Sequence, residues 1–277
     1  PTTVSRYVTF GLDILIETLR NMPETNINWP EDDSEFEELT TLVVARHSRL
    51  WGAFATVDGL NLPVQTSDDL DIENATYNGW MSDHFVSSVL VFSPKGIIIA
   101  ASINAPGSWH DSRVARPIYD KLRTSTPPGF YLVADTAFPR GTQQIEERIK
   151  APLKAGQRLH GTQAEIAERS AFDREVLSYR QTAEWGMRAL QGSFGRLRIP
   201  LEINHVERCG NLLETCLRLH NLRTITVGIN QIRTVYMKHW QADEEQELVW
   251  KTFEDMLFSE QWESDRVARF HTFARYD

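Results

Sequence analysis

Apolar residues near the start of the chain recur at helical spacing. Tyr7, Val8, Leu12, Leu15, Ile16 and Leu19 predict a helix over Ser5–Leu19, which Asn21-Met22-Pro23 ends. The acidic run Glu31–Glu38 predicts the solvated first turn of a second helix, because carboxylates favour the positive end of the helix dipole. Beyond it the pattern changes. Ala53–Val57 predicts a short apolar strand closed by Asp58-Gly59, followed by a polar, acidic loop that holds Asp68, Asp69, Asp71 and Glu73. Phe85–Phe92 and Ile97–Ile103 are rich in β-formers and flank Ser93-Pro94-Lys95-Gly96, which predicts a hairpin. Asp111–Leu122 predicts a helix with Asp111 or Ser112 as its N-cap. Phe130–Ala134 predicts a strand ending at Asp135, and Ile149–Leu153 one more short strand. Helical periodicity returns over Glu165–Ala189 and continues towards Arg198. It returns again over His205–Arg223 and over Glu244–Phe258.

A hairpin feeding a strand–helix–strand unit predicts a mixed sheet with helices on its faces. That element order is also the order of a ribonuclease H-like fold. The expected class is therefore α/β: a ribonuclease H-like mixed sheet flanked by helices, with helical N- and C-terminal extensions. The boundaries expected are a helical segment over 1–50, the sheet domain over 51–235 and an acidic helical extension over 236–277. The sequence carries no internal repeat.

Composition changes the picture in three ways. The 277 residues are 41% hydrophobic and 24% charged, an ordinary balance for a folded chain with a sizeable core. No run of about 18 apolar residues is present, so no membrane-spanning helix is expected. The two cysteines, Cys209 and Cys216, would stand about 10 Å apart on one helix, too far to bridge. A reducing compartment, cytosol or nucleus, is the expectation. The net charge of -9 argues against a surface that grips nucleic acid everywhere. The charge is uneven, however. Asp13–Asp83 holds 15 acidic and 3 basic residues, Arg140–Arg233 holds 10 acidic and 15 basic, and Ala242–Asp277 holds 10 acidic and 4 basic. A basic stretch lies between two acidic ones.

Three acids stand out by position. Asp58 and Asp135 follow predicted strands, and Glu184 lies on the predicted long helix. If the two strands are neighbours, their ends bring the aspartates together, and a helix crossing the sheet adds the glutamate. Hard divalent cations take such oxygen ligands, and two ions can hold both oxygens of an in-line phosphoryl displacement. Taken singly, each acid has an ordinary reading: an Asp-Gly turn, a cap or loop aspartate, and an i,i+4 partner of Arg188.

The ordered segments Thr56–Val64, Asn78-Gly79-Trp80, Pro106–Arg113, Tyr131–Pro139, Ala183-Glu184-Trp185 with Phe194–Leu197, and Leu219-His220-Asn221-Leu222 carry a resemblance. They resemble the Harbinger-type transposases, a family of DDE superfamily endonucleases with a ribonuclease H-like core. The resemblance implies a metal-dependent nuclease that cuts and joins DNA. It places the family's catalytic, metal-holding acids on Asp58, Asp135 and Glu184, with Mg or Mn as cofactor and two ions expected. This chain departs from the usual family pattern at Ala134–Phe138 and at Ala183-Glu184-Trp185. The His110-Asp111-Ser112-Arg113 segment has no place in the acid triad. For Asp111 an N-cap is the ordinary reading, and His110 and Asp111 standing behind the metal ligands is the other. His220 reads as a packed helix residue and Trp185 as packing.

Arg180, Arg188, Arg196 and Arg198 near the third acid are candidate DNA phosphate contacts, with a solvated face of local ion pairs as the rival. The resemblance further implies DNA as substrate, a Myb-like DNA-binding partner protein and a nuclear location. A homo-oligomer is a candidate assembly. Thr2–Tyr7 resembles the tail of a helix-turn-helix recognition helix, and the chain opens on Pro1, so a truncated reader module is expected. The competing reading is a domesticated descendant that binds DNA or protein and no longer cuts.

Overall fold

The computed structural model describes residues 2–138, 145, 148–154, 157, 159–228 and 230–237. Helix α1 spans Thr3–Arg20 and α2 spans Asp33–Val44, whose N-cap Asp32 accepts from Glu35 N. The acidic run is thus the start of a helix, as its charge predicts. Strand β1 spans Ala53–Pro63, followed by α3 (Leu70–Thr76) and β2 (Tyr77–Asn78). Next come β3 (Asp83–Phe92), β4 (Ile98–Pro106), α4 (Asp111–Val114), α5 (Arg116–Thr124), β5 (Tyr131–Ala134) and β6 (Ile149–Lys150). The chain then forms α6 (Gln163–Ser193), a 3-10 turn (Gly195–Arg198), α7 (Val206–Thr226) and α8 (Gln231–Met237).

β1 is the hub of the sheet. It pairs antiparallel with β3 on one side and parallel with β5 on the other. β3 also pairs antiparallel with β4 and β2, and β5 pairs parallel with β6. Four strands in antiparallel pairs, β1 to β4, continued by the parallel β5 and β6, with helices on both faces, are the mixed sheet expected of a ribonuclease H-like fold. One core packs Leu60, Leu62, Leu90 and Phe92 of the sheet against Val176, Ala183, Met187 and Leu190 of α6 and Leu213 and Leu217 of α7. The other packs Val57, Val89 and Val91 against Phe36 and Leu39 of α2, Val114 of α4 and Ile118 and Leu122 of α5.

α1 and α2 belong to the same compact unit, which spans Pro1–Tyr236. Arg20 of α1 pairs with Glu214 of α7 at 2.6 Å. The expected helix over Glu244–Phe258 lies outside the described residues.

Four local expectations are corrected. Asp58-Gly59 is not a turn, because β1 runs on to Pro63 against β3. The acidic stretch after it is not all loop. Asp69 caps α3 by accepting from Asp71 N and Ile72 N, and Glu73 pairs with His84 at 3.0 Å. The helix after β4 is broken at Ala115, and its N-cap is His110 instead of Asp111 or Ser112. Pro117 loses no hydrogen bond in the first turn of α5. The last parallel strand is only two residues long.

His220 is a packed helix residue, as expected, and Asn221 beside it is buried too. Asn221 accepts from Ile98 N and donates to Ile98 O and Asn26 O. Trp185 is partly buried against the core. Cys209 and Cys216 are both free and buried on α7.

Candidate functional site

β1 and β5 run parallel, with Val57 opposite Ala134. The next residue on each is an aspartate, Asp58 on β1 and Asp135 just past the end of β5. Neighbouring strands lie about 4.8 Å apart, so the pairing alone brings the two acids side by side. The strand ending that the sequence suggests for Asp58 is therefore real with respect to β5, although β1 itself continues.

Glu184 reaches the same place from α6. Arg180, one turn earlier, joins the acids: its Nη1 lies 3.2 Å from Asp135 Oδ2 and its Nη2 lies 2.8 Å from Glu184 Oε1. Arg188, on the next turn, reaches only 3.9 Å from Glu184 Oε2. α6 can come this close because Gly186 faces Phe92 of β3. A Cβ at Gly186 would stand 2.5–2.7 Å from three atoms of that ring.

Asp58 is half-buried, and one oxygen accepts from Gly59 N at 2.8 Å. Burial pushes its pKa up to about 6. Gly59 N–H and Arg180 pull it back down, while Asp135 and Glu184 push it further up. Asp58 is thus a carboxylate whose charge the protein compensates incompletely.

Asp111 lies across the sheet plane from Asp58. Its carboxylate fills the space beside Gly59 that any side chain there would need. Burial raises its pKa, His110 lowers it, and Asp135 raises it. Arg113 stacks over the Trp109 ring at 3.8 Å instead of bonding to Asp111. The other two arginines singled out by sequence are exposed and bond to local carbonyls. Arg196 donates to Ile199 O and Pro200 O, and Arg198 donates to Gln191 O.

Among the described residues, no three His, Cys, Asp or Glu side chains form a group that could hold a metal ion as they stand. Arg180 supplies the cation between Asp135 and Glu184 instead. The donor chemistry still suits a hard divalent cation: three carboxylates from three elements, one of them with an unmet charge. By sequence Glu184 has an i,i+4 partner in Arg188, whereas Arg180, one turn earlier, makes the shorter pair. The bond of Arg180 to Asp135, some 45 positions away, was not legible in the sequence.

The fold and this cluster define a ribonuclease H-like protein with a carboxylate site at the end of its central parallel strands. Residues 57–221 match the model of a family described as DDE superfamily endonuclease, and the chain belongs to that family. No curated protein and no solved structure matches it.

Proposed function

We propose that this chain is a DNA endonuclease and transposase of the Harbinger type that depends on Mg or Mn. It cuts and joins phosphodiester bonds by in-line phosphoryl transfer. The observation that carries this reading is the meeting of Asp58, Asp135 and the Arg180–Glu184 pair at one sheet end in a chain of an endonuclease family.

Asp58, Asp135 and Glu184 would hold the divalent ions, two being expected. Such ions would offset the charge that builds on the attacking and leaving oxygens. Arg180 keeps Asp135 and Glu184 oriented towards the same point. Arg188, Arg196 and Arg198 would meet DNA phosphates, with His110 and Asp111 behind the acids. The endonuclease core corresponds to 51–235. The acidic segments leave little surface suited to DNA, so end recognition would come from a Myb-like partner protein or an upstream reader, in the nucleus.

The ion pairs of Arg180 with both Asp135 and Glu184 favour a second reading. In it, a domesticated descendant binds DNA or protein while an arginine replaces the metal. A nicking assay on labelled DNA with Mn²⁺ or Mg²⁺ separates the two. The endonuclease reading expects nicks from the wild type and none from Asp58→Asn or Asp135→Asn. A wild type that binds DNA and never nicks it supports the second.

A further inference from the structure

The acidic stretch Asp13–Asp83 holds only three cations, Arg20, Arg46 and Arg49. Arg20 is paired with Glu214. The other two meet a third arginine from the basic part of the chain. Arg46, His47 and Arg49, on the link between α2 and β1, line one open cleft of about 470 Å³ with Arg174, Glu175 and Ser178 of α6.

The cleft is fastened from below. His47 is buried, with its Nε2 3.0 Å from the Tyr236 hydroxyl, and that hydroxyl lies 3.2 Å from the Thr182 hydroxyl of α6. Arg49 ties the same link to α6 a second time. Its N and Nη1 donate to Glu175 at 2.8 Å each, and its Nε donates to Glu168 at 3.1 Å. The charge of Arg49 is thereby answered. Arg46 and Arg174 are exposed, and neither has an acidic partner among the described residues. Arg46 lies over the Tyr236 ring at 6.0 Å, a contact that leaves the N–H edge of its guanidinium unmet. Gathering two uncompensated guanidinium groups at one opening repels and gains nothing for the fold. An anion between them turns the repulsion into two charge-assisted contacts.

The course of α6 favours a phosphate chain as that anion. Arg174, Gln181 and Arg188 recur at seven-residue spacing, which keeps them on one stripe of a helix with a drift of about 20° per step. Both arginines of the stripe are exposed and Gln181 is half-buried. Between Glu175 and Glu184 the helix carries no other carboxylate. Arg188 stands 3.9 Å from Glu184, so the stripe leads from the cleft to the acid site. Arg174 precedes Glu184 by ten residues, about 15 Å of helix. A duplex rises about 3.4 Å per base pair, so that length spans about four base pairs. Guanidinium groups match the oxygens of a phosphodiester, and they do so without reading the bases.

We infer that the Arg46–Arg174 cleft is a DNA-backbone site, holding a phosphate of the duplex about four base pairs from the bond at the acids, with the outer stripe of α6 between them. The inference rests on the proposed action on DNA and adds a second place where the duplex is gripped.

The test is anisotropy titration of a duplex of about 20 base pairs, without divalent metal, at several salt concentrations. Each lost phosphate contact flattens the slope of log K against log salt by about 0.9. The double variant Arg46→Gln/Arg174→Gln is expected to flatten the slope by about 2 and to weaken binding about 10-fold at physiological salt. Arg46→Lys/Arg174→Lys keeps both charges and should keep the slope. Arg116→Gln/Arg123→Gln removes two exposed charges on α5, across the sheet, and should leave the slope unchanged. Arg174→Glu alone sits on an exposed helix position and should weaken binding without moving the melting temperature, which separates contact from folding. If the wild type binds DNA and the cleft variants match it in affinity and slope, the cleft is wrong while the DNA-acting reading stands. If the α5 variant flattens the slope as much as the cleft variant, the effect is one of net charge and the cleft is again wrong. If the wild type binds no duplex, the DNA-acting reading fails and the inference with it. A poly-glutamate probe that binds the wild type and not the double variant, with DNA binding untouched, would assign the cleft to an acidic protein segment and overturn the inference.

Discussion

The α-carbon of Gly59 lies directly against the carboxylate of Asp111, on the opposite side of β1 from Asp58. A Cβ at Gly59 would stand 2.5–2.7 Å from all three carboxylate atoms of Asp111. The Asp-Gly pair thus has a packing cause that a turn assignment would miss. Asp58 looks towards α6 and Gly59 makes room for the acid of α4.

Gly59→Ala should therefore destabilise the protein by about 1–3 kcal/mol, the usual range for overpacking a filled site. The carboxylate is a side-chain end and can swing away, so the lower half of that range is expected. The check is a double-mutant cycle by chemical denaturation. Asp111→Ala should absorb most of the Gly59→Ala cost. A full cost that persists in the double variant would mean that the backbone, and not Asp111, sets the need for glycine.

Arg180 is the cation of the acid site, and its removal should expose what it compensates. Arg180→Gln leaves Asp135 and Glu184 facing each other without a positive group between them. A loss of about 1–3 kcal/mol is expected without divalent metal, since the groups are only partly buried. Mg²⁺ or Mn²⁺ should restore more stability to this variant than to the wild type, if carboxylates that lose one cation accept another. Melting with and without the metal checks both parts. Equal metal-dependent shifts in the two proteins would show that Arg180 and the metal do not share a place.

The pH dependence follows from two buried histidines. Burial depresses the pKa of His220 to about 4, with the Gly96 carbonyl, 3.1 Å from its Nε2, acting against this. Burial likewise lowers His47 to about 4, beside the Tyr236 hydroxyl. In the unfolded chain a histidine titrates near 6.5. Between about 6.5 and 4 the unfolded state thus binds more protons, and stability falls as pH falls. Asp58 acts in the opposite sense. Its pKa is raised to about 6, so its contribution is complete below its unfolded value and is lost as pH rises through 6. Metal-free melting should show a net fall in stability from pH 7 to pH 5. Asp58→Asn should be more stable than the wild type at pH 7 and equal to it near pH 4. A constant difference across that range would mean that Asp58 does not titrate as its burial demands.

Much of the fold was legible because its signals are local. The helical spacing of Tyr7 to Leu19, the β-formers on both sides of Ser93–Gly96 and the acidic run Glu31–Glu38 at the start of α2 each act within a few residues. The site was legible only as far as strand ends and motifs reached. Asp58 and Asp135 meet because Val57 pairs with Ala134, a contact between residues 77 positions apart that no local period reports. The break at Ala115 and the capping of α3 by Asp69 were hidden for a related reason. A polar run such as Ser67–Asp71 is equally at home in a loop or at a helix start, and the choice falls to packing on β3. The acids were readable as residue types, but the arginine between them and the glycines that admit them were not.

Gly186 offers the sharpest separation of packing from chemistry. It lies two residues past Glu184 on α6, above the fully buried Phe92 ring. On helix propensity alone, Gly186→Ala should stabilise the protein by about 1 kcal/mol. The geometry predicts the reverse. The new methyl group would meet Phe92 at 2.5–2.7 Å, and a ring buried in a filled core cannot turn aside as a carboxylate can. A net loss of about 1–3 kcal/mol is expected. The helix must also lift from the sheet, which carries Arg180 and Glu184 away from Asp135 and Asp58. Nicking activity should fall with stability, although no acid has changed. Phe92→Leu in the same chain removes the ring edge and should recover part of both. The measurements are chemical denaturation and the Mn²⁺ nicking assay on the two single variants and the double. A Gly186→Ala protein that gains stability would show that α6 rides higher over β3 than the structure has it. Full stability with lost activity would instead place the role of Gly186 in the acid site itself.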